Sequence, residues 1–186
     1  MRGLMGRKKL IFCFGGVVFL LLMVSFTVQR EYYIKAAFLE KFSRFIEWPA
    51  GQKSSQDNDY FIITLLGTGP VEEAIRNTYQ GQKINNLPVR IMKVQDLKEV
   101  NSTDILYICK EWSGSIRDVV NVSHLHKWLM VAESSGAAKQ GIHINFYLTF
   151  DETVHFEINE VALKNDGFKV NFLLLDVAKN VNPVKK

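Results

Sequence analysis

The sequence predicts an α/β protein of three layers, α/β/α, with a mainly parallel sheet and a C-terminal antiparallel hairpin. Between residues 60 and 134, short apolar runs typical of buried strands alternate with segments of helical periodicity. The last third changes to two strand-like runs, "HINFYLTF" and "TVHFEIN", which flank the turn Asp151-Glu152. With 47% hydrophobic residues, a chain of 186 residues can bury the core of one domain and is short for two.

Residues 10–28 form an apolar segment of membrane length. These nineteen residues carry no charge and follow the basic cluster of Arg7, Lys8 and Lys9. A spanning helix needs about 17–25 residues, whereas the apolar part of a signal peptide runs about 7–15, so the length favours an anchor. Both alternatives export the chain from Arg30 onward, because the basic end stays in the cytoplasm. We expect a signal peptide or N-terminal membrane anchor over residues 1–30, an exported domain over 31–183 and a tail over 184–186.

The basic charge of the chain belongs to this N-terminal segment. The net charge is +4, but residues 1–30 contain five basic and no acidic residues, so the remainder is slightly acidic. Nucleic acid binding requires a clustered basic face. The exported domain is therefore not expected to bind nucleic acid.

An amphipathic helix opens the exported domain, in the stretch "KAAFLEKFSRFIEWP". Phe38, Phe42 and Phe45 recur at spacings of four and three, which is the period of one helix face, and Pro49 ends the helix. Two roles for this aromatic face remain open. It packs on the sheet, or part of it docks a second copy or another protein. The opposite, polar face is predicted to hold Lys35, Glu40, Lys41 and Arg44.

The alternation β-α-β-α-β-α-β then predicts a parallel sheet with helices on both faces. Helix starts are marked by Pro70 in a first turn and by a serine cap. In chain order the segments are the strand "YFIITLLG", the helix "GPVEEAIRNTYQG", the strand "LPVRIMKV", a turn or short helix over residues 95–100, the strand "DILYICK", a helix from Ser113 to Val122 and the strand "KWLMVAES".

Two asparagines mark the helices of the C-terminal part. Asn159 is placed to cap a short helix that stops at Gly167, and Asn171 to cap the last helix, "FLLLDVAKNV", which Pro183 ends.

Glu157 is unusual, because it lies inside a hairpin strand whose alternate residues are apolar. Two interpretations remain open. Glu157 belongs to a solvated face of the hairpin, or it is a capping or partner-contacting carboxylate.

No known catalytic or ligand-binding pattern is complete in the sequence. The glycine-rich "LGTGPVEE" has Glu72 where a dinucleotide loop needs its third glycine, and it lacks the Lys-Ser/Thr of a Walker loop, which indicates a structural turn. His124 and His126 would share a face on a strand, but zinc needs further ligands, and His143 and His155 do not complete a pattern. We therefore expect no enzyme, no cofactor and no metal.

The exported domain contains a single cysteine, Cys109, since Cys13 lies in the apolar segment. An internal disulfide is thus excluded. Cys109 ends the apolar strand "ILYIC", so we expect a buried, unreactive thiol and no disulfide control.

Three blocks together resemble the YfiR family of bacterial exported proteins. These are "EYYIKAAFLEKFSRFIEWP", "GIHINFYLTFDETVHFEIN" and "GFKVNFLLLDVAKNV", and the likeness spans about residues 31–182. Two departures stand out. Gln140-Gly141 replaces the paired glycines frequent in the family, and Cys109 is alone where the best-known members carry disulfide-forming cysteines, so redox gating is not implied here.

The resemblance implies a periplasmic regulator that binds the outward-facing domain of a membrane diguanylate cyclase, or another membrane signalling protein such as a sensor kinase, and represses it. Cyclic di-GMP signalling and biofilm formation would follow from release. The location would be the periplasm, with an inner-membrane anchor if residues 10–28 are retained, and a homodimer is a further alternative. A rival function is a small-ligand sensor with a cleft at the carboxyl ends of the strands. The candidate partner-binding residues are Phe38, Phe42, Phe45, Trp48, Glu157 and Asn159.

Overall fold

Helices alternate with strands through the part of the chain that the computed structural model describes, residues 29–49 and 59–181. The helices are α1 over residues 29–45, α2 (Val71–Tyr79), α3 (Ile116–His126), α4 (Glu160–Asn165) and α5 (Phe172–Val177). The strands are β1 (Ile46–Glu47), β2 (Phe61–Leu66), β3 (Lys83–Ile84), β4 (Leu87–Val94), β5 (Ile105–Ile108), β6 (Leu129–Ala132), β7 (Ile144–Leu148), β8 (Val154–Ile158), β9 (Lys169–Val170) and β10 (Lys179–Asn180). Single turns of 3-10 helix occupy Leu97–Glu99 and Ala138–Gln140.

One large sheet has the strand order β10-β8-β7-β6-β5-β2-β4-β3. The central strands β4, β2, β5, β6 and β7 are mutually parallel. The chain starts at β2, moves outward to β4 and then crosses to β5, which is the order of flavodoxin-like doubly wound sheets. The predicted hairpin follows, with β8 antiparallel to β7 and Ile144 opposite Ile158. The predicted fold class is confirmed.

Both faces of the sheet carry a buried apolar cluster, so the molecule has three layers. On one face α1 and α2 contribute Phe42 and Ile75 to a cluster that includes Tyr107 of β5. On the other face Val119 of α3 packs against Leu106 and neighbouring strand residues. The crossover from β4 to β5 contains only the 3-10 turn Leu97–Glu99, so α3 covers the second face without a companion helix.

Two helices end earlier than the sequence predicts. Helix α1 ends at residue 45, because β1 pairs with β9 and places Ile46 opposite Val170. Helix α5 ends at Val177, because β10 pairs with β8. Pro183, the predicted end of this helix, lies outside the described residues.

Helix α3 is displaced towards the C-terminus relative to the prediction. Ser115, not Ser113, caps it by accepting a hydrogen bond from the backbone N–H of Asp118, and the helix continues to His126. His124 and His126 therefore lie on a helix, and the shared strand face considered for them does not form. Residues two apart on a helix do not share a face.

The edge hairpin of β3 and β4 was not predicted. Its turn residues Asn85 and Asn86 have φ of 50° and 66°, a primed turn that Asn tolerates better than most residues. The pair Asn-Asn was the signal available in the sequence.

Candidate functional site

The aromatic face of α1 packs mainly on the core. Phe42 has no exposed surface, and its ring lies 5.6 Å from Phe146 and 5.2 Å from Phe156. Phe38 stacks on Phe42 at 5.8 Å and is partly buried. Phe42 therefore offers no surface to a partner in this conformation.

The end of the same segment is also engaged within the domain. Trp48 packs edge-on against Phe61 at 6.0 Å and Phe168 at 5.9 Å. Phe45 is partly buried, and its carbonyl accepts a hydrogen bond from the backbone N–H of Asn171 at 2.8 Å. This part of α1 thus positions the start of α5.

The two polar candidates of the hairpin have intramolecular roles. Glu157 is 8% exposed, pairs with Lys179 at 2.9 Å and lies 3.5 Å from the side-chain amide of Asn145. The interpretation of Glu157 as part of a solvated face is wrong, because the unpredicted strand β10 brings Lys179 to it. Asn159 is fully buried and caps α4 by accepting a hydrogen bond from the backbone N–H of Ala162 at 2.9 Å.

An exposed apolar surface lies instead on α5. Phe172 is 72% exposed, Leu173 52% and Val177 63%, whereas Leu174 points into the core. We call the first three residues the α5 surface. The signal for it was present in the sequence: four consecutive apolar residues on a short helix cannot all face one core.

The point where the strand order reverses is closed by a tryptophan. In open α/β sheets this point, between β2 and β5, is where ligands usually bind. Here Trp112 packs onto Gly67 and Gly114, where an added Cβ would come within 2.8 Å and 2.0 Å of its side chain. Its Nε1 donates to the carbonyl of Gln95 at 3.2 Å. Gly67 and Gly114 therefore make room for Trp112, which agrees with a structural turn.

A cleft of about 570 Å³ lies beside Trp112, between α3 and the 3-10 turn that follows β4. It occupies the space where the crossover to β5 has no helix. Its lining residues are Asp96, Leu97, Lys98, Val100, Trp112, Gly114, Ser115, Asp118, Val122 and His126.

Lys35, predicted on the polar face of α1, is buried. It is 4% exposed, and its Nζ pairs with Glu31 of α1 and with Glu133, which follows β6. Glu133 Oε1 also accepts a hydrogen bond from the backbone N–H of Lys110 at 3.4 Å. Helix periodicity misplaced Lys35, because Glu133, one of its two acidic partners, lies far away in the sequence.

A family model, DUF4154, described as YfiR/HmsC-like, matches residues 32–179. The chain belongs to the YfiR/HmsC-like family. The match covers the described domain almost completely. No curated protein matches the chain.

Membership of the YfiR/HmsC-like family indicates a periplasmic regulator of diguanylate cyclase signalling. Within residues 29–49 and 59–181, none of the helices combines the length and apolarity needed to cross a bilayer. The apolar run of residues 10–28 lies outside the described residues. In the same two ranges, His, Cys, Asp and Glu side chains form no group of three that could hold a metal ion.

Cys109 is the one cysteine among the described residues. The thiol is free and buried, and burial together with the nearby carboxylates of Glu133 and Glu111 raises the pKa of Cys109 to about 12. Such a thiol is scarcely ionised near neutral pH and reacts slowly. Cys13 lies outside the described residues.

Proposed function

We propose that the chain is an exported repressor that binds the outward-facing domain of a membrane diguanylate cyclase and holds the enzyme inactive. The observation that carries this proposal is the YfiR/HmsC-like match over residues 32–179. Release of the repressor would raise cyclic di-GMP in the cell and favour biofilm formation. A sensor kinase is the other class of membrane partner that such a domain can regulate.

The α5 surface supports binding by protein contact. Phe172, Leu173 and Val177 are exposed apolar side chains on one short helix, and such groups are typical of interaction surfaces. In this proposal Phe45 and Trp48 support the segment that leads into α5, and Phe38 and Phe42 pack on the hairpin strands, so these four residues contribute few direct contacts. Glu157 and Asn159 hold the neighbouring hairpin and α4.

Residues 10–28 supply export in this proposal, either as a cleaved signal peptide or as a retained inner-membrane anchor. N-terminal sequencing of the native protein distinguishes the two. An intact start supports the anchor, and a start near Arg30 overturns it.

Photo-crosslinking in membranes tests the partner. A photoreactive residue replaces Phe172 in one full-length variant, and in the control it replaces Met92, which is 46% exposed on β4. We expect the variant at position 172 to capture a diguanylate cyclase and the variant at position 92 not to do so. Absence of a signalling enzyme at position 172, or equal capture at both positions, would contradict the proposal.

A second candidate function, a small-ligand sensor, is favoured by the cleft beside Trp112. Its volume of about 570 Å³ lies within the range of about 300–1,000 Å³ typical of ligand sites. A screen of small molecules by thermal unfolding tests it, with Val122→Trp as the variant that fills the cleft. A ligand that raises the melting temperature of the wild type but not of this variant would support the sensor.

A further inference from the structure

A buried carboxylate, Asp166 at the end of α4, contacts His124 of α3 and His143, the residue before β7. Its Oδ2 accepts a hydrogen bond from His143 Nε2 at 2.9 Å, and its Oδ1 pairs with His124 Nδ1. Lys127 Nζ lies 4.0 Å from the same Oδ1. Asp166 also ends α4, where its backbone N–H donates to the carbonyl of Ala162. The position of the end of α4 therefore depends on this cluster.

Both ring nitrogens of His143 take part in hydrogen bonds in the folded protein. The backbone N–H of Met130 donates to Nδ1 at 3.1 Å, so this nitrogen carries no proton. The proton of the neutral ring lies on Nε2 and is donated to Asp166. A second proton on His143 would face the N–H of Met130 and remove that hydrogen bond.

The chain that leaves Asp166 leads directly to the α5 surface. Phe168 is buried, lies edge-on to the ring of His143 at 5.2 Å and donates its backbone N–H to the carbonyl of Leu163. Strand β9 and the cap of α5, Asn171, follow within three residues. A loss of the His143–Asp166 contact would thus loosen the segment that presents Phe172.

We propose that the His143–Asp166 contact is acid-sensitive, and that protonation of His143 opens the segment from α4 to α5 and weakens the hold of the α5 surface on its partner. The consequence for the partner rests on the proposed function, whereas the opening does not.

The direction of the effect follows from the environment of His143. The ring has no exposed surface, and burial lowers the pKa of His143 although the carboxylate of Asp166 acts in the opposite direction. The positive charge of Lys127, and of His124 when it is protonated, adds to the lowering. In an opened segment the ring would titrate near its ordinary value of about 6.5. Below that pH the opened form binds more protons, so acid favours opening.

Asp166 changes stability only at lower pH. Burial tends to raise the pKa of Asp166, but hydrogen bonds from His143 and His124 bring it below its usual range. Its contribution is therefore lost only as the pH falls below about 4. Asp166 therefore does not account for a response between pH 7 and pH 5, whereas protonation of His143 does.

Hydrogen exchange of the full-length protein between pH 7.5 and pH 5 tests the proposal. After correction for intrinsic rates, we expect the opening of amides in α4 and α5 to increase below pH 6.5, by at most about tenfold per pH unit for one proton. His143→Gln keeps an amide donor for Asp166 and cannot be protonated in this range, so opening in this variant should depend less steeply on pH than in the wild type. His126→Gln is the matched control, because His126 lies in the same turn of α3 as His124 and stacks on Trp128 instead.

Several outcomes would overturn the proposal. One is that opening of the α4 and α5 amides does not depend on pH in the wild type. Another is that it depends on pH equally steeply in the wild type and in the His143→Gln variant. If that variant does not fold, NMR of the wild-type ring replaces it, and protonation of His143 at a different pH from the opening of the amides counts against the proposal.

Binding of the captured partner at pH 7.5 and pH 5.5 tests the proposed effect of this opening on partner binding. Weaker binding at pH 5.5 in the wild type but not in His143→Gln supports it, and unchanged binding despite opening overturns it. Absence of binding at both pH values would instead contradict the proposed function, which the exchange experiment does not use.

Discussion

Buried charged side chains in this protein find partners that are distant in the chain. Lys35 pairs with Glu133, and Glu157 with Lys179. Neither pair could be predicted from the sequence, because local periodicity describes a helix or strand face and carries no information on what lies above it. The burial of Cys109 could be predicted, because its strand is apolar on both sides.

Replacement of Phe42 distinguishes core from surface aromatics. Phe42→Ala removes a fully buried ring that contacts Phe146 and Phe156, so we expect a loss of about 3–5 kcal/mol in the free energy of unfolding. Phe172→Ala, the exposed control, should stay within about 0.5 kcal/mol of the wild type. Urea denaturation measures both. Equal stability of the two variants would show that α1 does not pack as described.

Cys109→Ser tests control by disulfides. The hydroxyl enters an apolar site, so we expect a loss of about 1–3 kcal/mol, with the same oligomeric state and partner binding as the parent. Size-exclusion chromatography with and without reductant provides the measurement. An inert thiol would be contradicted if the parent forms a dimer that dissociates in reductant and the variant forms no such dimer.

Single interactions decide how each helix is placed on the sheet. The pair Lys35–Glu133 ties α1 to the end of β6, and the backbone bond from Asn171 to Phe45 ties the start of α5 to the end of α1. The existence of these helices followed from apolar periodicity and asparagine caps. Their ends did not, because the two-residue strands β1 and β10 have no sequence signal and form only through pairing with β9 and β8.

Removal of the Lys35 amine should weaken the packing of α1 on the sheet. Lys35→Met leaves Glu31 and Glu133 close together without a cation, so we expect a loss of about 3–5 kcal/mol, measured by thermal and urea unfolding. The double variant Lys35→Met with Glu133→Leu also removes the unpaired, buried carboxylate of Glu133. It should therefore recover most of the stability that the single variant loses. A double variant no more stable than the single one would show that Glu133 does not depend on Lys35.

At the scale of the whole molecule, the order of apolar strands and amphipathic helices was sufficient to predict the three layers and the C-terminal hairpin. The candidate partner-binding residues stay a prediction. Phe42 on α1 packs in the core, whereas Phe172, Leu173 and Val177 on α5 are exposed. Periodicity shows that a helix is amphipathic. Whether its apolar face is exposed depends on which other elements of the fold pack against it.

The level of cyclic di-GMP in cells tests the regulatory role most directly. Deletion of the gene should raise cyclic di-GMP and surface attachment, and expression of the wild-type protein should restore both. Phe172→Asp places a charge on the α5 surface, so the variant should fold, reach wild-type abundance and fail to restore either. Unchanged cyclic di-GMP in the deletion strain across several growth conditions would contradict a repressor of a diguanylate cyclase, and full restoration by Phe172→Asp would contradict binding through α5.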